Sequence, residues 1–388
     1  MPSAPLRTVA SAALRSAAIA GLAALLSLGL ATAANAQNPP PPVKPPHRLV
    51  PAKKPAAPAP AKPGQPAFPA PQPAQAAPAQ KNGPEADLAF GAFQRGYYIT
   101  AFALATQRAA DKNDAKSMTL LGELYANGLG IPRDDAKAAS WYRLAAARGD
   151  ANAMFALAIF ELSGRAGPRN RQDSAKWLAA AAKLGHAIAA YDLALLYIEG
   201  ELFPRDFSRA AELLRVAADA GNAQAQYALG TLYKDGRGVP RDMTQAVHLF
   251  ALAALGDQTD AEVEYAIALF NGDGIARNQP LAAQLFRKAA LKNNPIAQDR
   301  LALVLANGLG GVPADPIEAA KWHLIAKAAG DNNLVLDDFV AKMDATARAT
   351  AEKRAQPWIA FIKQAIAANT AAQQQQQAPA VPNAAAKK

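Results

Sequence analysis

The sequence predicts an all-α solenoid of six helix-turn-helix repeats, with atypical capping helices at both ends. Three observations carry this. Gly128, Gly164, Gly200, Gly236, Gly272 and Gly308 are separated by 36 residues every time, and a fixed period of this length marks stacked supersecondary units. Other columns keep the same step: Leu121, Leu157, Leu193 and Leu229; Pro132, Pro168, Pro204 and Pro240; Ala145, Ala181, Ala217, Ala253 and Ala289. Within each unit apolar residues recur every three or four positions, the spacing of an amphipathic helix.

At the N-terminus of the 388-residue chain, Arg7 and Arg15 precede an apolar run from Ala17 to about Ala31 and a small-residue stretch ending in Ala36. This pattern reads as a secretory signal peptide over 1–36, cleaved after Ala36. The expected location is therefore the periplasm, or the medium if the chain is secreted, and the mature chain is expected to have no membrane span. Cysteine is absent, so neither lipid attachment at a cysteine nor a disulfide framework is available after export, and packing alone must provide stability. Residues 37–84 form a Pro/Ala/Lys-rich linker, with 17 of the 30 prolines between 38 and 84. Proline removes donors and fixes φ, so this segment is expected to be a semi-extended tether without a core. It reads either as a spacer crossing an envelope layer or as an undirected disordered linker.

Residues 85–114 read as an N-terminal capping pair, Ala89–Gln94 and Tyr97–Ala110. The six full repeats occupy 115–331. In the first, Met118, Leu121, Gly122, Leu124 and Tyr125 make an amphipathic first helix that should stop near Gly128, where glycine accepts a positive φ without a Cβ clash. Pro132-Arg133-Asp134 then leads into a second helix that Asp134 caps; Asn170, Asp206, Asp242, Asn278 and Asp315 repeat that chemistry. Ala138, Ala139, Trp141, Tyr142, Ala145 and Ala146 form its apolar face. The sixth repeat inserts one residue near Gly311. After Gly330 the period fails, and residues 332–370 read as capping helices, Leu334–Met343 and Ala345–Ala368, broken or kinked at Pro357. Residues 371–388 read as a disordered Gln/Ala/Pro-rich tail.

The formal charge is +10, from 41 basic and 31 acidic residues. Residues 1–84 hold eight of the basic residues and no acid, and Lys387 and Lys388 end the chain, which leaves 31 of each sign over 85–370. A nucleic-acid binder needs its positive charge on the folded part. Here that part is neutral, so no nucleic-acid partner is expected.

Residues 225–254, AQYALGTLYKDGRGVPRDMTQAVHLFALAA, closely resemble the Sel-one-like repeat (SLR), a relative of the tetratricopeptide repeat. LLGELYANGLGIPRD and WYRLAAARGD within 120–150 are similar. The second repeat departs from the pattern at Gly167, and the third at Glu201-Leu202-Phe203. The resemblance covers about 115–331 and implies a right-handed αα-superhelix that works as an adaptor, often in bacterial envelope assembly, secretion or signalling.

A search for chemistry returns little. His47, His186, His248 and His323 stand far apart, with no nucleophile or ligand set at a useful spacing. Gly128-Leu129-Gly130, Gly236-Arg237-Gly238 and Gly272-Asp273-Gly274 lack the strand and the Lys-Ser/Thr of a phosphate loop. No catalytic residue, cofactor or metal is expected, and the chain reads as a non-enzyme. Arg133, Arg169, Arg205, Arg241 and Arg277 form a rim column that reads either as an anion-binding strip or as solvated neighbours of the N-caps.

The sharper expectation concerns the first helices. If Leu121, Gly122 and Tyr125 face the core, then Phe155, Tyr191, Ile198, Tyr227 and Phe270 fall on a concave apolar stripe, suited to anchoring a partner peptide or helix. The alternative is that adjacent first helices bury this stripe between repeats. The function expected is thus an exported protein-interaction scaffold whose unidentified partner is an envelope or periplasmic protein. A second reading is a peptidoglycan- or polysaccharide-binding protein that touches anionic cell-wall polymer through its basic linker and Arg rim.

Overall fold

A computed structural model describes residues 87–165 and 167–377. The expected leader, the proline-rich linker and residues 378–388 of the tail lie outside the described residues. Among those described, every regular element is a helix, sixteen in all: α1 (Leu88–Gln94), α2 (Tyr98–Lys112), α3 (Ala115–Asn127), α4 (Asp135–Ala146), α5 (Ala151–Ser163), α6 (Arg171–Lys183), α7 (Ala187–Glu199), α8 (Phe207–Asp219), α9 (Ala223–Asp235), α10 (Met243–Leu255), α11 (Thr259–Asn271), α12 (Gln279–Leu291), α13 (Pro295–Asn307), α14 (Pro316–Ala328), α15 (Leu334–Ala341) and α16 (Ala345–Gln377). The odd helices α3 to α13 are the first helices of the six repeats, and the even helices α4 to α14 are the second. From α1 to α14 each helix packs most heavily on its neighbours in sequence, as a stacked array requires, while α16 passes over α15 to pack on α14.

Helix boundaries follow from capping. Asp134, Asn170, Asp206, Asp242, Asn278 and Asp315 each accept, at 2.8–3.1 Å, from the backbone N–H three residues on. Their own N–H groups reach back to a carbonyl near the end of the preceding first helix, as Asp134 does to Tyr125 at 3.0 Å. Every first helix ends at a left-handed glycine, Gly236 for example at φ 68°, so the 36-residue spacing of these glycines is the spacing of helix stops.

The hairpin closes where a large residue of the second helix meets a small one of the first. These are the eighth residues of each: Tyr142, Leu178, Leu214, Phe250 and Phe286 against Gly122, Ala158, Ala194, Gly230 and Ala266. A Cβ at Gly122 would stand 2.5 Å from the Tyr142 ring, and one at Gly230 would stand 2.8 Å from Phe250. Repeats are joined by a second device. The loop after each first helix touches the first residue of the preceding second helix. At Gly238 the approach is so close that a Cβ would lie 2.2 Å from the Phe207 backbone; Gly274 meets Met243, and Gly310 meets Gln279, in the same way. Repeats two and three lack this glycine, and charge takes its place. Arg165 pairs with Asp135 at 2.5 Å and also donates to the Ala126 carbonyl, while Glu201 pairs with Arg171 at 3.2 Å.

The capping pair and α15 lie within a few residues of their expected places. The tail differs from expectation. Residues 371–377 continue α16, which runs unbroken through Pro357. Pro357 and Lys353, whose carbonyl the proline leaves unbonded, are both exposed, so solvent can satisfy that group, and the Ala/Gln composition beyond favours helix. Among the described residues no helix is long and apolar enough to cross a membrane.

The glycines supply a paired test. Gly221 has φ 84° with nothing within 4 Å of its missing Cβ, whereas Gly238 has φ 72° and backbone in the way. Gly221→Ala should cost about 1 kcal/mol of left-handed strain. Gly238→Ala should cost at least ~1–2 kcal/mol more, because an extra methyl in a packed contact forces backbone shifts. Urea midpoints of the two variants check this, and equal losses would remove the close-approach account of the joint.

Candidate functional site

The first-helix face divides into columns with different fates. The fifth residue of each first helix lies one turn from the N-terminus and faces the junction with the following repeat. Phe155 is half-buried, with its ring stacked on His186 at 4.6 Å between centroids. His186 is the N-cap of α7, accepting from the Ala189 N–H through Nδ1 at 3.1 Å; burial pushes its imidazole below the usual value, consistent with an unprotonated acceptor. Tyr191 is buried at 8% exposure, and burial, with the Asp192 charge, pushes its hydroxyl up to about 12. Tyr227 is half-buried against Ala253, Ala254 and Ala261 and lies 5.9 Å from the Phe250 ring. These three aromatics sit in or beside the packing between units, and Tyr191 in particular is not displayed at the surface.

The ninth, twelfth and thirteenth residues of the same helices are half-buried or exposed, except Leu195 and Ala126, which are buried. Ile198 and Phe270, both at the twelfth position, are half-buried. Phe270, with its ring 6.4 Å from Phe286, lines a pocket of about 230 Å³ between α11 and α13, together with Ile267, Leu303 and Val304. Asn271, Asn307 and Arg300 supply the pocket's polar groups. The structure thus brings Phe270 to a pocket. Arg300, Asn271 and Asn307 were not among the expected residues, although a signal existed. The thirteenth column is polar in every repeat: Asn127, Ser163, Glu199, Asp235, Asn271 and Asn307.

The six hairpins, their 36-residue spacing and their left-handed stops match the Sel1 repeat over 115–150, 151–186, 187–222, 223–257, 259–294 and 295–331. The chain belongs to the Sel1 repeat family. Its structure is similar to that of a Sel1 repeat protein from Oxalobacter formigenes, at 26% identity and TM-score 0.51, over 63% of this chain and 97% of that one. It is also similar to a protective antigen of uropathogenic Escherichia coli with an SLR fold, at 26% identity and TM-score 0.51, over 75% of this chain and 69% of that one. No curated protein matches the chain.

In this Sel1 repeat protein the rim arginines close the loops. Arg133 binds Asp135 at 2.8 Å. Arg205 and Arg277 donate to the carbonyls of Glu199 and Asn271, each at 3.0 Å. The stems of Arg169 and Arg241 lie against Gly164 and Gly236. These contacts are within the arginines' own hairpins, to the end of the first helix or, for Arg133, to the first residue of the second. Among the described residues no group of three His, Asp or Glu side chains is placed to hold a metal.

One carboxyl on this face stands out. Asp192, half-buried on α7, makes no hydrogen bond or ion pair among the described residues, and burial pushes it up to about 7. A carboxyl raised in the fold is favoured there in its neutral form, so its ionisation weakens the fold as pH rises toward and through 7. Asp192→Asn should therefore raise the urea midpoint at pH 8 and change it little at pH 4. A pH-independent effect would contradict this environment. Tyr191→Ser should cost about 3 kcal/mol, the scale of emptying a buried aromatic site, measured by the same denaturation. Unchanged stability would return Tyr191 to the surface stripe.

Proposed function

We propose that this chain is an exported, non-enzymatic scaffold that holds a peptide or helix of an envelope protein on its first-helix face, with the Phe270 pocket as the anchor point. Sel1 repeat proteins are generally protein–protein interaction scaffolds, which is the common ground for the reading. The observation that carries it further is the pocket itself. Ile267, Phe270, Phe286, Leu303 and Val304 line a space that suits one apolar side chain. Arg300 stands at the pocket, is exposed, and makes no hydrogen bond or salt bridge among the described residues, so a partner carboxylate or carbonyl would find a donor there. Export rests on the leader pattern of residues 1–36. The rival polymer-binding reading rests on the basic flanks, since three of the rim arginines already bond within their own hairpins.

Capture from intact cells by cross-linking separates the two. The scaffold reading expects one protein to be retained at roughly 0.5 M salt, where screening shortens to a few ångström. That protein should be lost on Ile267→Ser with Phe270→Ser, provided the variant's helical circular dichroism and melting remain close to wild type. Capture that survives this double change overturns the pocket assignment. Retention on the cell-wall fraction that disappears in moderate salt, or on deletion of 38–84, supports polymer binding.

A further inference from the structure

The sixth repeat breaks two columns that the other five keep. The eighth residue of the second helix is the large core residue of each repeat, Tyr142, Leu178, Leu214, Phe250 and Phe286, none more than 5% exposed. In α14 that place belongs to His323, at 0%. The fifth residue of the first helix is uncharged in five repeats, Thr119, Phe155, Tyr191, Tyr227 and Val263, and is Asp299 in α13, at 7%. The two exceptions meet. His323 Nδ1 lies 3.2 Å from Asp299 Oδ1, and its Nε2 lies 2.9 Å from Asp337 Oδ1 on α15. Asn333, the N-cap of α15, donates to Asp299 Oδ2 at 2.6 Å, and Lys327 donates to Asp337 at 2.6 Å.

An imidazole set between two carboxylates needs an N–H on each nitrogen, and only the protonated ring has both. In the neutral ring one nitrogen turns a lone pair toward a carboxylate oxygen, and an attraction becomes a repulsion. We propose that protonated His323 clamps α15 onto the sixth repeat and that loss of its proton loosens this cap, making the C-terminal end of the solenoid responsive to pH. Leu336 and Val340 are the buried residues of α15, and Val340 packs in a cluster with Ala320, Ala351, Ile317 and Met343. Loosening therefore uncovers apolar surface at the end of the array.

The surrounding charges favour the clamp. Burial alone would push the His323 imidazole down, but the hydrogen bonds and charges of Asp299 and Asp337 outweigh it and hold the group above its usual value. Asp331, in the turn after α14, also faces the histidine and is itself under the influence of Arg300. On α16, Arg354 is directed to Glu318 at 3.8 Å, and Trp358 packs on Trp322. A histidine raised in the fold contributes fully below its ordinary value, and the contribution is lost as pH rises through the raised one. Asp337 is held low by Lys327 and then by His323, so its share is lost only in acid. The clamp is strongest in mildly acidic solution and fails on the alkaline side.

Amide hydrogen exchange on the full chain between pH 5.5 and 8.5, corrected for intrinsic rates, reads the opening of α15 directly. Protection of 334–341 should fall severalfold across this range, because the docked cap holds the His323 proton more tightly than the open one, while 223–255 stays constant. His323→Gln and His323→Phe should both abolish the pH dependence, and the phenylalanine, which restores the residue type of the column, guards against a variant that merely unfolds. Protection of 334–341 that does not change with pH in the wild type, or a pH dependence that survives in both variants, overturns the proposal.

Discussion

The fold depends on one recurring contact, a large side chain at the eighth place of each second helix lying over a small residue at the eighth place of its partner. Where the large residue is Tyr142 or Phe250, the small one is glycine, and a single methyl would overlap the ring. Where it is Leu178 or Leu214, alanine suffices. Axes that approach this closely bury a continuous row of alanines between them, Ala138, Ala139, Ala145 and Ala146 in the first repeat. Close packing of small groups is how a protein without cysteine, with few aromatics and much alanine, reaches interior density.

Hairpins packed in this way still need a fixed relation to their neighbours. That relation comes from the loop meeting the first residue of the preceding second helix, by backbone contact at Gly238, Gly274 and Gly310 and by the Arg165–Asp135 and Glu201–Arg171 pairs in repeats two and three. Two chemistries thus serve one geometric task. The arginine rim supports each loop locally: the stems of Arg169 and Arg241 lie against left-handed glycines, and Arg205 and Arg277 bond to the last carbonyls of their first helices. Ion pairs here join neighbouring repeats where the glycine is missing, and the chain's excess charge stays on its flanks.

Surface chemistry varies on this regular frame. The ninth, twelfth and thirteenth positions of the first helices differ from repeat to repeat, and between α11 and α13 they form an apolar pocket beside Arg300. The same freedom operates at the C-terminal end, where the column that elsewhere holds Tyr, Leu or Phe takes a histidine. A polar residue in a core column is tolerated only because every partner it needs is supplied by Asp299, Asp337, Asn333 and Lys327, and a network of this kind ties the end helix to the body.

The sequence by itself determined the repeat, its length, the helix stops and the N-caps. Each of these depends on local backbone chemistry, a positive φ or an orphan N–H group, that particular residue types satisfy within a few positions. It also placed the charge, because counting needs no coordinates. Tertiary structure decided which side of a first helix is covered. Phe155, Tyr191 and Tyr227 share a face with Phe270 by helical periodicity, yet the next repeat's N-cap His186 stacks on Phe155, α10 of its own repeat and Ala261 of the next first helix close on Tyr227, and Tyr191 is buried, while Phe270, at a position two turns further along, opens to a pocket. Periodicity describes one helix, whereas burial depends on what a neighbour brings. For the same reason the stripe could be named in advance but not divided, and His323 could not be joined to Asp299 and Asp337 from residues that lie 24 and 14 positions away.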